Sequence, residues 1–319
     1  MQQKPKIRIR TISLKVFRKV ANTVRAFCIM TPRDRFEYCK PGDSLDDKLQ
    51  IMRRKGFDTI PMLKGTDLKS GEISEYLTQE NIEDKIAQGF MRCEEASTRI
   101  EEEDQIREDL PMEEVISKLS SRKNKSKLPL FLRDENDLIS GLMTLADVDK
   151  TAVKMYLFAL MSELELSLLE MISIDYGKVK EVCKCKYCLR KRRARKDQMR
   201  SHDNLEEYYY LNLKELIHII IESESSSWAQ RKVKDALIRE GHGEIVKLRN
   251  TIAHPKPLVS DKFPISKLAR VHSLVKNLLS ICKNTYASDD KLHLEMQCLK
   301  APGLTENIHS GGLAETGKK

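Results

Sequence analysis

Apolar residues recur at helical spacing in two separate stretches of the N-terminal half: Leu45, Leu49 and Met52, then Val115, Ile116 and Leu119. Each stretch leads into a short apolar run bounded by turn residues. In the first unit the run lies within Gly56–Leu63 and a second begins near Gly71; in the second unit the runs are Leu128–Leu132 and Gly141–Met143. The order helix, strand, turn, strand is therefore predicted twice. Neither unit alone covers both faces of its strands, so the two are expected to pack together. An acidic stretch, Glu94–Asp109, connects them.

From Asp147 the period is helical and stays so. Leu157, Leu160, Leu164, Leu168 and Met171 predict one long helix over Asp147–Asp175, ended by Gly177. Further helices are predicted over Tyr208–Ile221, Trp228–Ile238, Glu244–His254 and Ser266–Thr285, and beyond Ala301 no period remains. The fold class is α+β, with an all-α bundle following the paired units. Predicted boundaries are a basic extension at 1–24, the pair at 25–150 (units at about 25–83 and 100–150), the bundle at 151–290, and a disordered tail at 291–319.

Charge adds one feature that the pattern does not show. The 319 residues carry a net charge of +9. The stretch Lys178–Arg200 holds eleven basic residues against Glu181 and Asp197, so it accounts for the whole excess. No apolar run reaches the roughly 18 residues that span a bilayer, and no secretory leader is apparent. A cytoplasmic chain with a solvated basic leader and free thiols is expected, with no membrane partner.

The segment Thr144–Asp147 opens a helix directly after a strand. As a cap, its hydroxyl and carboxylate satisfy the free backbone donors there. The same geometry suits a phosphate at the helix start and a ribose on the carboxylate. The strands Ile60-Pro61-Met62 and Leu128-Pro129-Leu130, with the Gly-apolar-apolar-Thr-x-x-Asp ending at Gly141–Asp147, resemble a tandem pair of cystathionine β-synthase (CBS) domains over residues 25–150. That resemblance implies a regulatory site for an adenosine nucleotide (AMP, ADP or ATP) at Ile60, Pro61, Leu128, Pro129, Thr144 and Asp147. The counterpart in the first unit is taken as Ser74–Leu77, which lacks the acid, so one full site and one weakened or empty site are expected.

On the helix ending at Pro255, Asn250 and His254 lie four apart with Arg249 adjacent. A guanidinium, an amide and an imidazole can hold a phosphodiester and move its protons without a metal. Equally, Arg249 and Asn250 can pair with bundle carboxylates such as Glu215 or Glu244, and His254 can cap its own helix. The Arg-Asn-x-x-x-His pattern resembles HEPN domains, helical bundles that commonly dimerise and of which some cut RNA. This implies a HEPN-like bundle over about 150–285, a homodimer, and Arg249, Asn250 and His254 as catalytic candidates of a metal-independent endoribonuclease.

Cys183, Cys185 and Cys188, with His202 as a possible fourth ligand, make an incomplete zinc pattern, and unligated thiols fit as well. Arg190, Lys191, Arg192, Arg193 and Arg195 suit a nucleic-acid backbone, or form a solvated face. The combined expectation is a CBS-type sensor of an adenosine nucleotide controlling a helical domain that cleaves or binds RNA. The alternative is a nucleotide-responsive module that binds protein or nucleic acid without catalysis.

Overall fold

The computed structural model describes residues 6–65, 71–122, 128–182, 211–222, 227–254 and 256–299. In chain order the elements are α1 (Lys6–Thr23), β1 (Thr31–Pro32), α2 (Leu45–Lys55), β2 (Thr59–Lys64), β3 (Glu72–Thr78), α3 (Gln79–Ala87), α4 (Cys93–Ala96), β4 (Thr98–Arg99) and β5 (Gln105–Arg107). Then come α5 (Met112–Ser121), β6 (Leu130–Arg133), β7 (Ile139–Met143), α6 (Thr151–Val182), α7 (Leu213–Glu222), α8 (Trp228–Glu240), α9 (Gly243–Ile252) and α10 (Ile265–Leu299).

Local chemistry accounts for the helix ends. The Ser44 hydroxyl accepts from the Asp47 N–H at 3.4 Å, Asp46 and Asp47 sit in the first turn of α2, and Arg53–Lys55 close its last. Gly56 then takes the left-handed conformation (φ 71°) and turns the chain into β2. At α3, Thr78 caps in the same way, accepting from the Asn81 N–H at 3.2 Å. At α7, Asn212 and Glu215 exchange two bonds, Asn212 N–H to Glu215 at 2.9 Å and Glu215 N–H to Asn212 at 3.0 Å.

The paired units form two sheets. One is antiparallel in the order β2-β3-β4; the other runs β1-β7-β6-β5, with only β5 and β6 parallel. The acidic connector is thus more than a spacer, because it supplies β4 to one sheet and β5 to the other. β1 lies near the start of the first unit in sequence yet pairs with the second unit's β7. The two sheets meet through Leu63, Ile73, Tyr76, Ile100, Phe131 and Ile139, with the Tyr76 and Phe131 rings 5.3 Å apart between centroids.

Helical packing extends further than the pattern suggests. Residues of α1, α5, α6 and α10 share one continuous apolar core, including Ala21, Ile116, Leu164 and Leu278. The expected solvated leader is therefore corrected: much of it is α1, packed on α6 through Phe17, Val20 and Ala21. Gly177 does not end α6, which continues to Val182; one glycine costs a helix interior only about 1 kcal/mol. α10 runs to Leu299, past the expected boundary at 290. Nor does the long helix start at Asp147. Residues Leu145–Asp149 form a 3-10 turn, Lys150 is extended (ψ 149°), and its carbonyl starts the α6 ladder by accepting from Val153 and Lys154.

Candidate functional site

The strand that ends at Met143 delivers Thr144 in an extended conformation (φ −120°, ψ 174°) to the 3-10 turn. The Asp147 carboxylate folds back over that corner. One oxygen accepts from the Thr144 N–H at 2.6 Å and from its hydroxyl at 3.2 Å; the other faces the Lys150 ammonium at 2.7 Å. Lys150 in turn donates to the carbonyls of Ile29 at 2.5 Å and Met30 at 3.4 Å. Asp147 is only 8% exposed. The capping role expected of its carboxylate is present. The Thr144 hydroxyl also donates to the acid.

This corner closes one wall of a cleft between the two units. A cavity of about 190 Å³ is lined by Arg35, Phe36, Phe57, Pro61, Thr144 and Asp147 among others. A second of about 420 Å³ adjoins it and shares Asp58, Thr59, Thr144 and Ala146, with Thr78, Gln79, Glu80 and Leu128 beyond. Each unit contributes the start of its first hairpin strand and the capped end of its second. Among the described residues Arg35 is the one cation lining the two cavities, against Glu37, Asp58, Glu80 and Asp147. Glu37 is paired to Lys55.

Of the residues expected here, Pro61, Leu128, Thr144 and Asp147 line the cleft. Ile60 is wholly buried in the first unit's own core. Pro129 is also buried, and its carbonyl and that of Leu128 accept from the Arg122 guanidinium at 3.2 and 3.0 Å. Arg122 is itself buried against Asp104 at 2.5 Å and so pins the start of β6.

The counterpart of Thr144–Asp147 needs correction. In the first unit the strand-end cap is Thr78, and Asn81 occupies the position of the acid; Ser74–Leu77 lies within β3. The Asn81 amide donates to the Thr98 hydroxyl at 2.7 Å. Arg35, Phe36 and Asp58 were not anticipated, since nothing in the sequence places the segment before α2 beside the second unit.

Comparison with known proteins gives only a distant likeness. No protein-family model and no curated protein matches the chain. The solved structures it is similar to include a haemolysin-like protein containing a CBS domain from Oenococcus oeni PSU (16% identity, 42% of this chain and 94% of that one, TM-score 0.34). Another is CBSX2 from Arabidopsis thaliana (17%, 41% and 94%, TM-score 0.33). A third is the CBS domain of the bacterial CNNM/CorC family Mg2+ transporter in complex with ATP (16%, 46% and 96%, TM-score 0.34). Likeness at this level does not carry a ligand from one protein to another.

In the helical half, Arg249 reaches the Glu165 carboxylate on α6 at 3.4 Å. Its partner is a bundle carboxylate, as the structural reading expected, though not Glu215 or Glu244; Glu215 caps α7 and Glu244 pairs with Lys247 and Lys267. α9 ends at Ile252, so His254 lies beyond it in a turn, and Asn250 and His254 are exposed. The cleft described above is remote in lining from all three. Cys183, Cys185, Cys188, His202 and Arg190–Arg195 lie outside the described residues. Among the described residues, no group of three or more His, Cys, Asp or Glu side chains is placed to hold a metal, and no helix is long and apolar enough to cross a membrane.

Proposed function

We propose that the N-terminal half is a CBS-type pair that binds one adenosine nucleotide in the cleft between its units, and that the helical half is what it regulates. The observation that carries this reading is the buried Asp147 carboxylate at the cleft wall, opposite the Gly56–Pro61 strand start. A fixed carboxylate can accept from both hydroxyls of a ribose. Phe36, Phe57 and Pro61 offer apolar surface to a purine, and Arg35 with the Thr144 hydroxyl suits one phosphate.

The lining acids set the class of nucleotide. Arg35, the one cation lining the cleft among the described residues, does not balance a triphosphate beside Asp58 and Glu80, so on those residues AMP fits better than ATP. The Thr78–Asn81 half has an amide where the acid would stand, already engaged by Thr98, and takes no nucleotide of its own. Calorimetry with AMP, ADP, ATP and adenosine tests this. AMP binds at one site more tightly than ATP, and Asp147→Ala weakens it at least tenfold, about 1.4 kcal/mol. Failure of AMP to bind, or equal binding by Asp147→Ala, overturns the reading.

For the helical half, action on RNA is supported by the exposure of Asn250 and His254 and by the basic composition of the Arg190–Arg195 run in the sequence. RNA cleavage in EDTA that vanishes in His254→Ala supports a ribonuclease. Salt-sensitive RNA binding that survives His254→Ala and falls when residues 190–195 are neutralised marks binding without cleavage. Sedimentation tests the homodimer that the HEPN resemblance implies.

A further inference from the structure

A separate cavity, of about 280 Å³, lies where α1, α5, α6 and α10 meet, outside the nucleotide cleft. Its floor is apolar, formed by Ala21, Met112, Leu160 and Leu279, with the Tyr156 ring. Its rim carries four cations from two elements and the loop after the first: Arg18 on α1, Arg25 just beyond it, and Lys276 and Lys283 on α10. Among the described residues only two carboxylates, Glu163 and Glu113, line the same cavity. Glu163 is buried to 2% exposure and serves both Arg18 at 2.5 Å and Lys283 at 3.4 Å; Glu113 pairs with Lys276 at 2.7 Å.

Arg25 has no ion-pair partner among the described residues, and Glu163 holds two cations on a single oxygen. Among the described residues the rim therefore lacks two negative charges. Like charges gathered around one concavity repel unless an anion joins them, and a guanidinium with two ammonium groups is a donor set for phosphoryl oxygens. We propose that this cavity is a second ligand site, for a small molecule with a doubly charged phosphoryl end seated between Arg25, Lys276 and Lys283 and an apolar body on the Tyr156 floor. The site touches the second unit through Pro111–Glu113 and the bundle through α6 and α10, so its occupant clasps the two halves.

Calorimetry on the full chain at low salt, with inorganic pyrophosphate as the probe, tests this independently of the nucleotide cleft. Wild type takes up pyrophosphate, the Arg25→Gln/Lys276→Gln double variant binds at least tenfold more weakly, and Asp147→Ala binds as wild type does. Arg25→Gln alone breaks no ion pair, so it reads the same loss in smaller degree if the double variant fails to fold. No uptake by wild type overturns the proposal. So does undiminished binding by the Arg25 variants, which sends the anion to the Lys178–Arg200 run, or a loss in Asp147→Ala, which sends it to the nucleotide cleft.

Discussion

At the scale of single residues, Gly141 shows how closely the cleft is built. It sits in β7 opposite Pro32, and a Cβ there would run into the Met30 side chain and lie 3.1 Å from the Thr31 carbonyl oxygen. The methionine can swing away, but the carbonyl belongs to β1, whose Thr31 lines the cleft. Gly141→Ala therefore displaces β1, lowering stability by about 1–2 kcal/mol in denaturant melts and weakening AMP. Wild-type values for both measurements would mean that the close approach is not a constraint. The same glycine explains a misreading of the sequence. Gly141 lies inside its strand, whereas Gly71 lies just before β3, so counting on from the two glycines misplaces the first unit's cap by four residues, at Ser74 instead of Thr78. Residue type alone carries no register; the strand pairing does.

Among the elements, α6 and α10 are joined by a polar contact inside an apolar seam. Tyr156 Oη and His272 Nε2 lie 2.6 Å apart and both residues are 4% exposed. Burial holds His272 down to about 4, with the charge of Glu113 opposing and that of Lys276 assisting, and burial also raises Tyr156. The imidazole is thus neutral in the fold, while in the unfolded chain it protonates near 6.5. Below 6.5 the unfolded state takes up the proton first, so stability is full above 6.5 and falls as pH drops towards 4. Between pH 7 and pH 5 the loss is roughly 2 kcal/mol. Replacing both partners, as Tyr156→Phe/His272→Leu, leaves no orphaned group and removes that part of the pH dependence. Equal slopes for the double variant and wild type in melts over this range would refute it. Helices α2, α5 and α6–α10 were legible because their apolar positions keep the 3.6 period. In α1, Phe17, Val20 and Ala21 keep it too, yet the surrounding lysines and arginines suggested a solvated arm. β1, β4 and β5 are two or three residues long, too short for any period to show, and only their partners define them.

For the molecule as a whole, the connection between cleft and bundle runs through the turn rather than along a single helix. Two residues beyond Asp147, the Asp149 carboxylate accepts from the Leu258 N–H, and on the first turn of α6 Lys154 donates to the Lys256 carbonyl at 3.2 Å. Both contacts grip the segment that follows α9, a few residues past His254. On the other side, Lys150 ties Asp147 to the chain before β1. Ribose hydroxyls seated on Asp147 as proposed would compete with the Lys150 ammonium for the same carboxylate, and Lys150 directly precedes α6. Adjacency of this kind is a route and not yet a coupling; that requires the far end to respond to the ligand. Hydrogen exchange provides the reading. AMP alters protection over residues 256–263 in wild type, and in Asp149→Ala it still binds but leaves that segment unchanged, because a hydrogen bond to a charged acceptor, about 1.5–3 kcal/mol, has been removed from the route. A segment indifferent to AMP in wild type would separate the two halves, and a response that persists in Asp149→Ala would assign the transmission to Lys154 and α6 instead.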